Sequence, residues 1–157
     1  MPLAVRAARV SRVERIAFGT LDYALDLDLA ADDRGLLYPA CRIALASRAA
    51  GIGSPVAGVT PAINDEQQLL ADLQSARACG VGAKLCIHPK QVDAIHAAMR
   101  PSDADIAWAK RVTDAAQSGG GAVQVDGKMV DRPVIARAGR ILARALNSTF
   151  VSLPHRN

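Results

Sequence analysis

Two hydrophobic periods take turns along this chain. Arg15 to Phe18 is a short apolar run that leads into Gly19-Thr20-Leu21-Asp22 and reads as a strand. Asp26, Asp28, Asp32 and Asp33 follow in a polar, turn-rich stretch. From about Pro39 to Ala50 the period is helical, with Ile43, Leu45 and Ala49 inward and Gly51 as the stop. Val56 to Thr60 predicts a second strand. Asn64, with Gln67 three residues on, predicts an N-cap pair. The helix it opens carries Leu69, Leu70, Leu73 and Ala76 inward and stops at Gly80. Val81 to Ile87 is a third apolar run, ended by His88-Pro89, because proline stops a ladder and can open a helix. Val92, Ile95 and Met99 then recur at helical spacing, as far as Arg100-Pro101. Ser102 caps a further helix with Ile106, Ala109, Val112 and Ala116 inward.

This strand–helix alternation, three times over, predicts an α/β fold with a parallel sheet. In such sheets the chemistry sits at the C-terminal ends of the strands, which singles out Gly19–Asp22 and Ile87–Pro89. After Gly119-Gly120-Gly121 the pattern changes. Ala122 to Val125, Asp126-Gly127 and Lys128 to Val130 read as a hairpin with a tight turn. A last helix starts near Pro133 and buries Val134, Ala138, Ile141 and Ala145, with Arg137, Arg140 and Arg144 as its polar stripe. The tail from Asn147 reads as loose. The expected division is therefore 1–118 and 119–157.

Composition narrows the function classes. The chain has 157 residues, half of them hydrophobic and only 3% aromatic, so Ala and Val must fill the core. A net charge of +4 suits an anionic ligand. No Lys/Arg cluster is interleaved with aromatics, so a phosphate-bearing or carboxylate substrate is expected and no nucleic acid. No apolar run approaches the eighteen residues of a membrane span, so no membrane partner is expected. Arg6, Arg9 and Arg12 faintly resemble an organelle transit peptide, but a solvated arginine face on a helix end explains them better. Cys41, Cys79 and Cys86 match no zinc spacing and read as reduced, mostly buried thiols of a cytoplasmic protein. His88, His96 and His155 match no metal pattern either.

Four segments occur in one order that resembles a known family: GTLDY (19–23), RIALASRAAGI (42–52), GAKLCIHPKQV (82–92) and DGKMVDRPVIARA (126–138). They are similar to the citrate lyase beta subunit family of acyl-CoA lyases, which includes malyl-CoA and citramalyl-CoA lyases. The resemblance covers essentially the whole chain. It implies the C-terminal part of a TIM (β/α)8 barrel, its last three βα units, followed by a C-terminal hairpin–helix lid. The implied reaction is reversible, magnesium-dependent cleavage of a 3-hydroxyacyl-CoA, of citryl-, malyl- or citramalyl-CoA type, to an acyl-CoA and a 2-oxo acid.

The resemblance also assigns residues. Asp22 becomes a magnesium ligand, and Gly19, Thr20 and Leu21 present backbone to the substrate carboxylate. On residue type alone Asp22 is better read as a cap of the turn or helix after the strand. Asp131 becomes the lid's catalytic carboxylate, although just before Pro133 it is also placed to cap a helix. Lys84, Ile87, His88 and Pro89 fall on the CoA side. From the residues themselves, Lys84 either pairs with a carboxylate or supports the barrel, and His88 fixes the strand-to-helix turn. Two departures stand out. The family's substrate-gripping arginine and metal-binding glutamate belong to an N-terminal half without a counterpart here, and the only glutamates, Glu14 and Glu66, lie outside that motif. Ala57 follows Pro55-Val56 where the family often has an aspartate.

Three strands of a parallel barrel leave an apolar edge. A homo-oligomer or a complementing N-terminal half is therefore expected to cover it. Two other readings remain open at this level. One is a non-catalytic remnant or subunit module that needs a partner. The other is hydrolysis of the same acyl-CoA thioesters.

Overall fold

The computed structural model describes residues 13–30, 34–118 and 124–150. The Arg6/Arg9/Arg12 segment, Asp32, Asp33, Ala122 and His155 lie outside them. The fold class is α/β, and the chain divides into two compact units, Met1–Ala97 and Ala98–Asn157.

The first unit is built on three parallel segments. β1 (Val56–Ala57) pairs with β2 (Ala83–Lys84), Val56 opposite Ala83. The 16–18 segment joins the other side of β1 through a parallel bridge from Ala17 to Val56. The Val56 N–H donates to the Ile16 carbonyl at 2.9 Å and the Phe18 N–H to the Val56 carbonyl at 3.0 Å. The second and third predicted strands are present but shorter than the apolar runs suggested, and the first contributes a single bridge rather than a strand, in chain order across the sheet. Gly82 N–H to Pro55 O (3.1 Å) and Leu85 N–H to Ala57 O (3.0 Å) extend the last ladder by a residue at each end.

The described residues of this unit also form the helices α1 (Thr20–Asp26), α2 (Arg34–Ala50), α3 (Glu66–Ala78) and α4 (Lys90–Met99). Several details differ from the sequence expectation. Thr20 to Asp26 is helix, so the expected turn-rich stretch does not begin at Asp26; Gly19 ends the strand and its carbonyl already accepts from Tyr23 N–H at 3.0 Å. α2 starts five residues before Pro39 and contains it. Its buried positions are Ala40, Ala46 and Ser47, whereas Leu45 is 66% exposed and Ala49 lies at the surface. Small residues, rather than the largest apolar ones, line the inward stripe. The cap of α3 is Asp65 rather than Asn64, and its carboxylate accepts from Gln68 N–H at 2.9 Å. α2 and α3 both end in Schellman turns. Gly51 (φ 73°) and Gly80 (φ 87°) take the left-handed position, and the following N–H groups return to Ser47 O and Ala76 O.

The register puts Phe18, Ala57 and Lys84 on one face of the sheet and Ala17, Val56 and Ala83 on the other. The Phe18 face is buried together with Leu69, Leu73 and Val81. The other row continues at period two to Leu85 and Ile87, which are 42% and 51% exposed.

The second unit contains α5 (Asp103–Gln117), a hairpin of β3 (Gln124–Val125) and β4 (Lys128–Met129), and α6 (Arg132–Phe150). Ser102 caps α5 in a reciprocal box with Asp105. Asp126 (φ 52°) and Gly127 (φ 72°) make the tight turn, with both central residues at positive φ as a two-residue hairpin prefers. Ala109, Val112, Ala138 and Ile141 form a closed apolar core between α5 and α6. Arg137 of the arginine stripe lies 5.1 Å from the centre of the Trp108 ring. The helix continues past Asn147 to Phe150, so the expected loose tail does not begin at Asn147.

Candidate functional site

Parallel strands deliver their C-terminal ends to one edge of a sheet. In the first unit that edge receives Gly19–Asp22, Gly58–Thr60 and Leu85–Pro89. The close approach of the first two is set by Gly58. A Cβ there would collide with the Thr20 hydroxyl and lie 2.9 Å from the Phe18 carbonyl oxygen. Only glycine lets the second strand pass the start of α1 at this distance.

Below this edge is a buried polar network. The Lys84 side chain is 2% exposed. Its ammonium donates to the Gly58 carbonyl at 2.9 Å and lies 3.9 Å from Asp72 Oδ2. Burial pulls the Lys84 pKa below its ordinary value, and the negative charge of Asp72 opposes that pull. Asp72 is shared further: the Thr60 hydroxyl donates to Oδ2 in a short contact, and Gln68 Nε2 donates to Oδ1 at 2.6 Å. Gln91 closes the network. It is 1% exposed, its Nε2 donates to Thr60 O at 3.0 Å, and its Oε1 accepts from Ile87 N–H at 3.0 Å. One side chain thus ties the loop after β1 to the loop after β2. Thr20, Asp72 and Lys84 also line a cavity of about 80 Å³, walled by apolar groups of α2 and α3.

The sequence-derived residues fall as follows. Thr20, Leu21 and Asp22 occupy the first turn of α1, where N–H groups have no partner within the helix. Asp22 is exposed and makes no cap hydrogen bond, since Gly19 holds the cap position. A Cβ at Gly19 would approach the Asp22 carboxylate to 3.1 Å, so glycine leaves that carboxylate room. His88 fixes the turn into α4: its Nδ1 accepts from Lys90 N–H at 3.2 Å and its carbonyl from Gln91 N–H at 3.0 Å. Ile87 and Pro89 are exposed beside it. Lys84 points into the network rather than to the surface. Asp131 belongs to the second unit and caps α6, its Oδ1 accepting from Val134 N–H at 3.1 Å.

The donor set suits magnesium only in part. Magnesium uses one or two carboxylates and completes its shell with water and substrate oxygens, and the exposed Asp22 fits as one such ligand. Among the described residues no group of three His, Cys, Asp or Glu side chains could hold a metal unaided. No helix among them is long and apolar enough to cross a membrane. Cys41 is exposed, contrary to the expectation of buried thiols, and Cys79 and Cys86 are half-buried.

Gln91, Thr60 and Asp72 are absent from the sequence-derived list. Each had a signal: a polar residue on the inward stripe of its helix (Gln91 one turn before Ile95, Asp72 beside Leu69 and Leu73) or at a strand end (Thr60). Polar residues in such places need partners, but the sequence does not say which.

The chain is 39% identical over 146 residues to a citrate lyase subunit beta-like protein of Deinococcus radiodurans, covering 87% of this chain and 51% of that protein. It is 34% identical over 155 residues to the (3S)-malyl-CoA thioesterase of Cereibacter sphaeroides, covering 90% and 52%. The chain thus spans about half the length of the curated relatives it matches. Among solved structures, CitE of Mycobacterium tuberculosis in complex with magnesium, acetoacetate and coenzyme A superposes with a TM-score of 0.79 at 31% identity, covering 90% of this chain and 55% of that one. Residues 3–89, more than half of the chain, match the family model described as HpcH/HpaI aldolase/citrate lyase. With Gly19–Asp22, where the first segment passes into α1, inside the matched span, the chain belongs to the HpcH/HpaI aldolase/citrate lyase family.

Proposed function

We propose that the chain is part of a magnesium-dependent carbon–carbon lyase acting on CoA thioesters in the cytoplasm. Residues 1–118 form the last three βα units of a (β/α)8 barrel, and residues 119–157 form its lid. The substrate is a 3-hydroxyacyl-CoA of citryl, malyl or citramalyl type, cleaved reversibly to an acyl-CoA and a 2-oxo acid. The observation that carries this reading is the parallel ladder, which brings Gly19–Asp22 and Ile87–Pro89 out at one edge, braced by Lys84 and Gln91.

Asp22 supplies one carboxylate to magnesium. When bound, the metal supplies Lewis-acid polarisation of the 2-oxo acid. The unpaired N–H groups of Thr20 and Leu21, next to Gly19, orient the substrate carboxylate. Ile87, His88 and Pro89 line the CoA path. Lys84 and Gln91 hold the two loops in place and do not themselves touch substrate. Asp131 is the general base: it takes a proton from the acyl-CoA α-carbon in condensation and returns it in cleavage.

The exposed Leu85 and Ile87 row supports the reading that a second chain covers the site, either another copy or a complementing N-terminal half. The (3S)-malyl-CoA thioesterase relative favours a second reading, thioester hydrolysis at the same edge. An assay of malyl-CoA and citramalyl-CoA with the complemented chain separates the two. The lyase releases a 2-oxo acid together with acyl-CoA, whereas the hydrolase releases free CoA and no 2-oxo acid. Absence of both products would leave the chain a non-catalytic subunit module.

A further inference from the structure

A thiol pair joins α2 to the end of α3, and nothing in the proposed lyase chemistry uses it. Cys41 lies on α2 and is exposed, and Cys79 caps the C-terminus of α3. The Cys79 Sγ lies 3.8 Å from the carbonyl oxygen of Leu37. Leu37 is one helical turn before Cys41, and a helical side chain covers the turn N-terminal to its own Cα. The Cys79 sulfur therefore sits where the Cys41 side chain projects. The next residue confirms the close approach: a Cβ at Gly80 would be 3.3 Å from Ala44 Cβ, one turn further along α2. Burial, and then the hydrogen-bonded Cys41 thiol, raise the Cys79 pKa. The exposed Cys41 is thus the sulfur that meets an oxidant first, and Cys79 is placed to resolve the product.

We propose that Cys41 and Cys79 are a redox modification site that closes to an intramolecular disulfide when it meets a small-molecule disulfide such as oxidised glutathione. The Cys41 thiolate attacks one sulfur of the oxidant, forms a mixed disulfide and expels one thiolate, which takes up a proton. Cys79 then loses its proton, attacks the Cys41 sulfur and expels the second thiolate. Two protein thiols lose two electrons and two protons, and the oxidant leaves as two thiols. The bond ties together the α2 and α3 walls of the cavity that Leu37, Cys79, Thr20 and Lys84 line.

The full chain carries its own test, because trypsin separates the three cysteines into the peptides 35–42, 78–84 and 85–90. After incubation with oxidised glutathione, the expected product is a monomeric chain lighter by two hydrogens. Peptide 35–42 should be linked to 78–84, and Cys86 should remain free. Cys79→Ser should instead accumulate a stable Cys41–glutathione adduct. The oxidised wild type should melt several degrees higher than the reduced one, and Cys41→Ser should cancel that shift. The proposal is overturned by a Cys41–glutathione adduct that persists in the wild type, a Cys41-linked dimer, a link that includes Cys86, or no reaction.

Discussion

The two compact units solve the burial problem in different ways. In the second, α5 and α6 close on Ala109, Val112, Ala138 and Ile141, all 3% exposed or less, and the interior is apolar. In the first, Lys84, Gln91 and Thr60 lie among the buried residues, and one face of the sheet is left open with Leu85 and Ile87 at its surface. Closed apolar packing needs only volume and pattern. A buried polar network is costly unless every member is paired, and it fixes loop positions in return. The second unit is therefore a stability element, and Asp131, the carboxylate proposed above as general base, caps one of its helices. The first is a positioning element whose stability depends on hydrogen bonds.

The largest expected effect separates chemistry from capping at Asp131. Asn caps a helix about as well as Asp. Asp131→Asn should thus leave the melting temperature of the chain within a degree or two. It should lower turnover of the complemented enzyme by a factor of about 100 or more. A loss of stability with activity retained would make Asp131 a cap and nothing else.

Next come substitutions that strike one unit's interior. Ile141→Ala removes a fully packed side chain and should cost about 2–4 kcal/mol by urea denaturation. Gln91→Ala leaves Ile87 N–H and Thr60 C=O without their partner and should cost a similar ~2–4 kcal/mol. The two should differ at the site. Ile141→Ala should not change magnesium affinity measured on the folded chain, whereas Gln91→Ala should weaken CoA binding, because Ile87 and His88 lose their brace. Equal effects on ligand binding would remove the distinction between the units.

The helical and hairpin parts of this contrast were largely legible in the sequence. Ser102, Asp126-Gly127 and the stripe of the last helix carry local chemistry that determines local structure; the cap and the turn appear as read, and of the stripe Ala138 and Ile141 are buried while Val134 and Ala145 are half-buried. The strand-to-helix stop at His88-Pro89 was legible for the same reason. The start of α2 was not, because a proline inside a helix reads as a boundary. α1 (Thr20–Asp26) was not legible either, because this short stretch has no capping side chain and no buried stripe. The brace of Gln91, Thr60, Asp72 and Lys84 could not be paired from sequence, since the contacts that join its elements, Thr60–Asp72, Lys84–Gly58 and Gln91–Thr60, span 12 to 31 residues and follow from the fold.

A smaller effect follows from the charge on Lys84. Its folded pKa lies below the ordinary value of 10.5, so the charged form costs the folded state stability. That cost is fully present below the folded pKa and is relieved as pH rises from there toward 10.5. Urea midpoints measured between neutral pH and about 10 should therefore include a rising contribution that Lys84→Met lacks. A wild-type and variant pair with parallel pH profiles would show that the ammonium is better solvated than its burial implies.

Calorimetric titration of magnesium into the purified chain, with and without glyoxylate or pyruvate, tests the central claim most directly. The account predicts weak binding that the 2-oxo acid strengthens and that Asp22→Ala abolishes, with folding unchanged. Binding of equal strength in Asp22→Ala, or none at millimolar magnesium with the 2-oxo acid present, would contradict it.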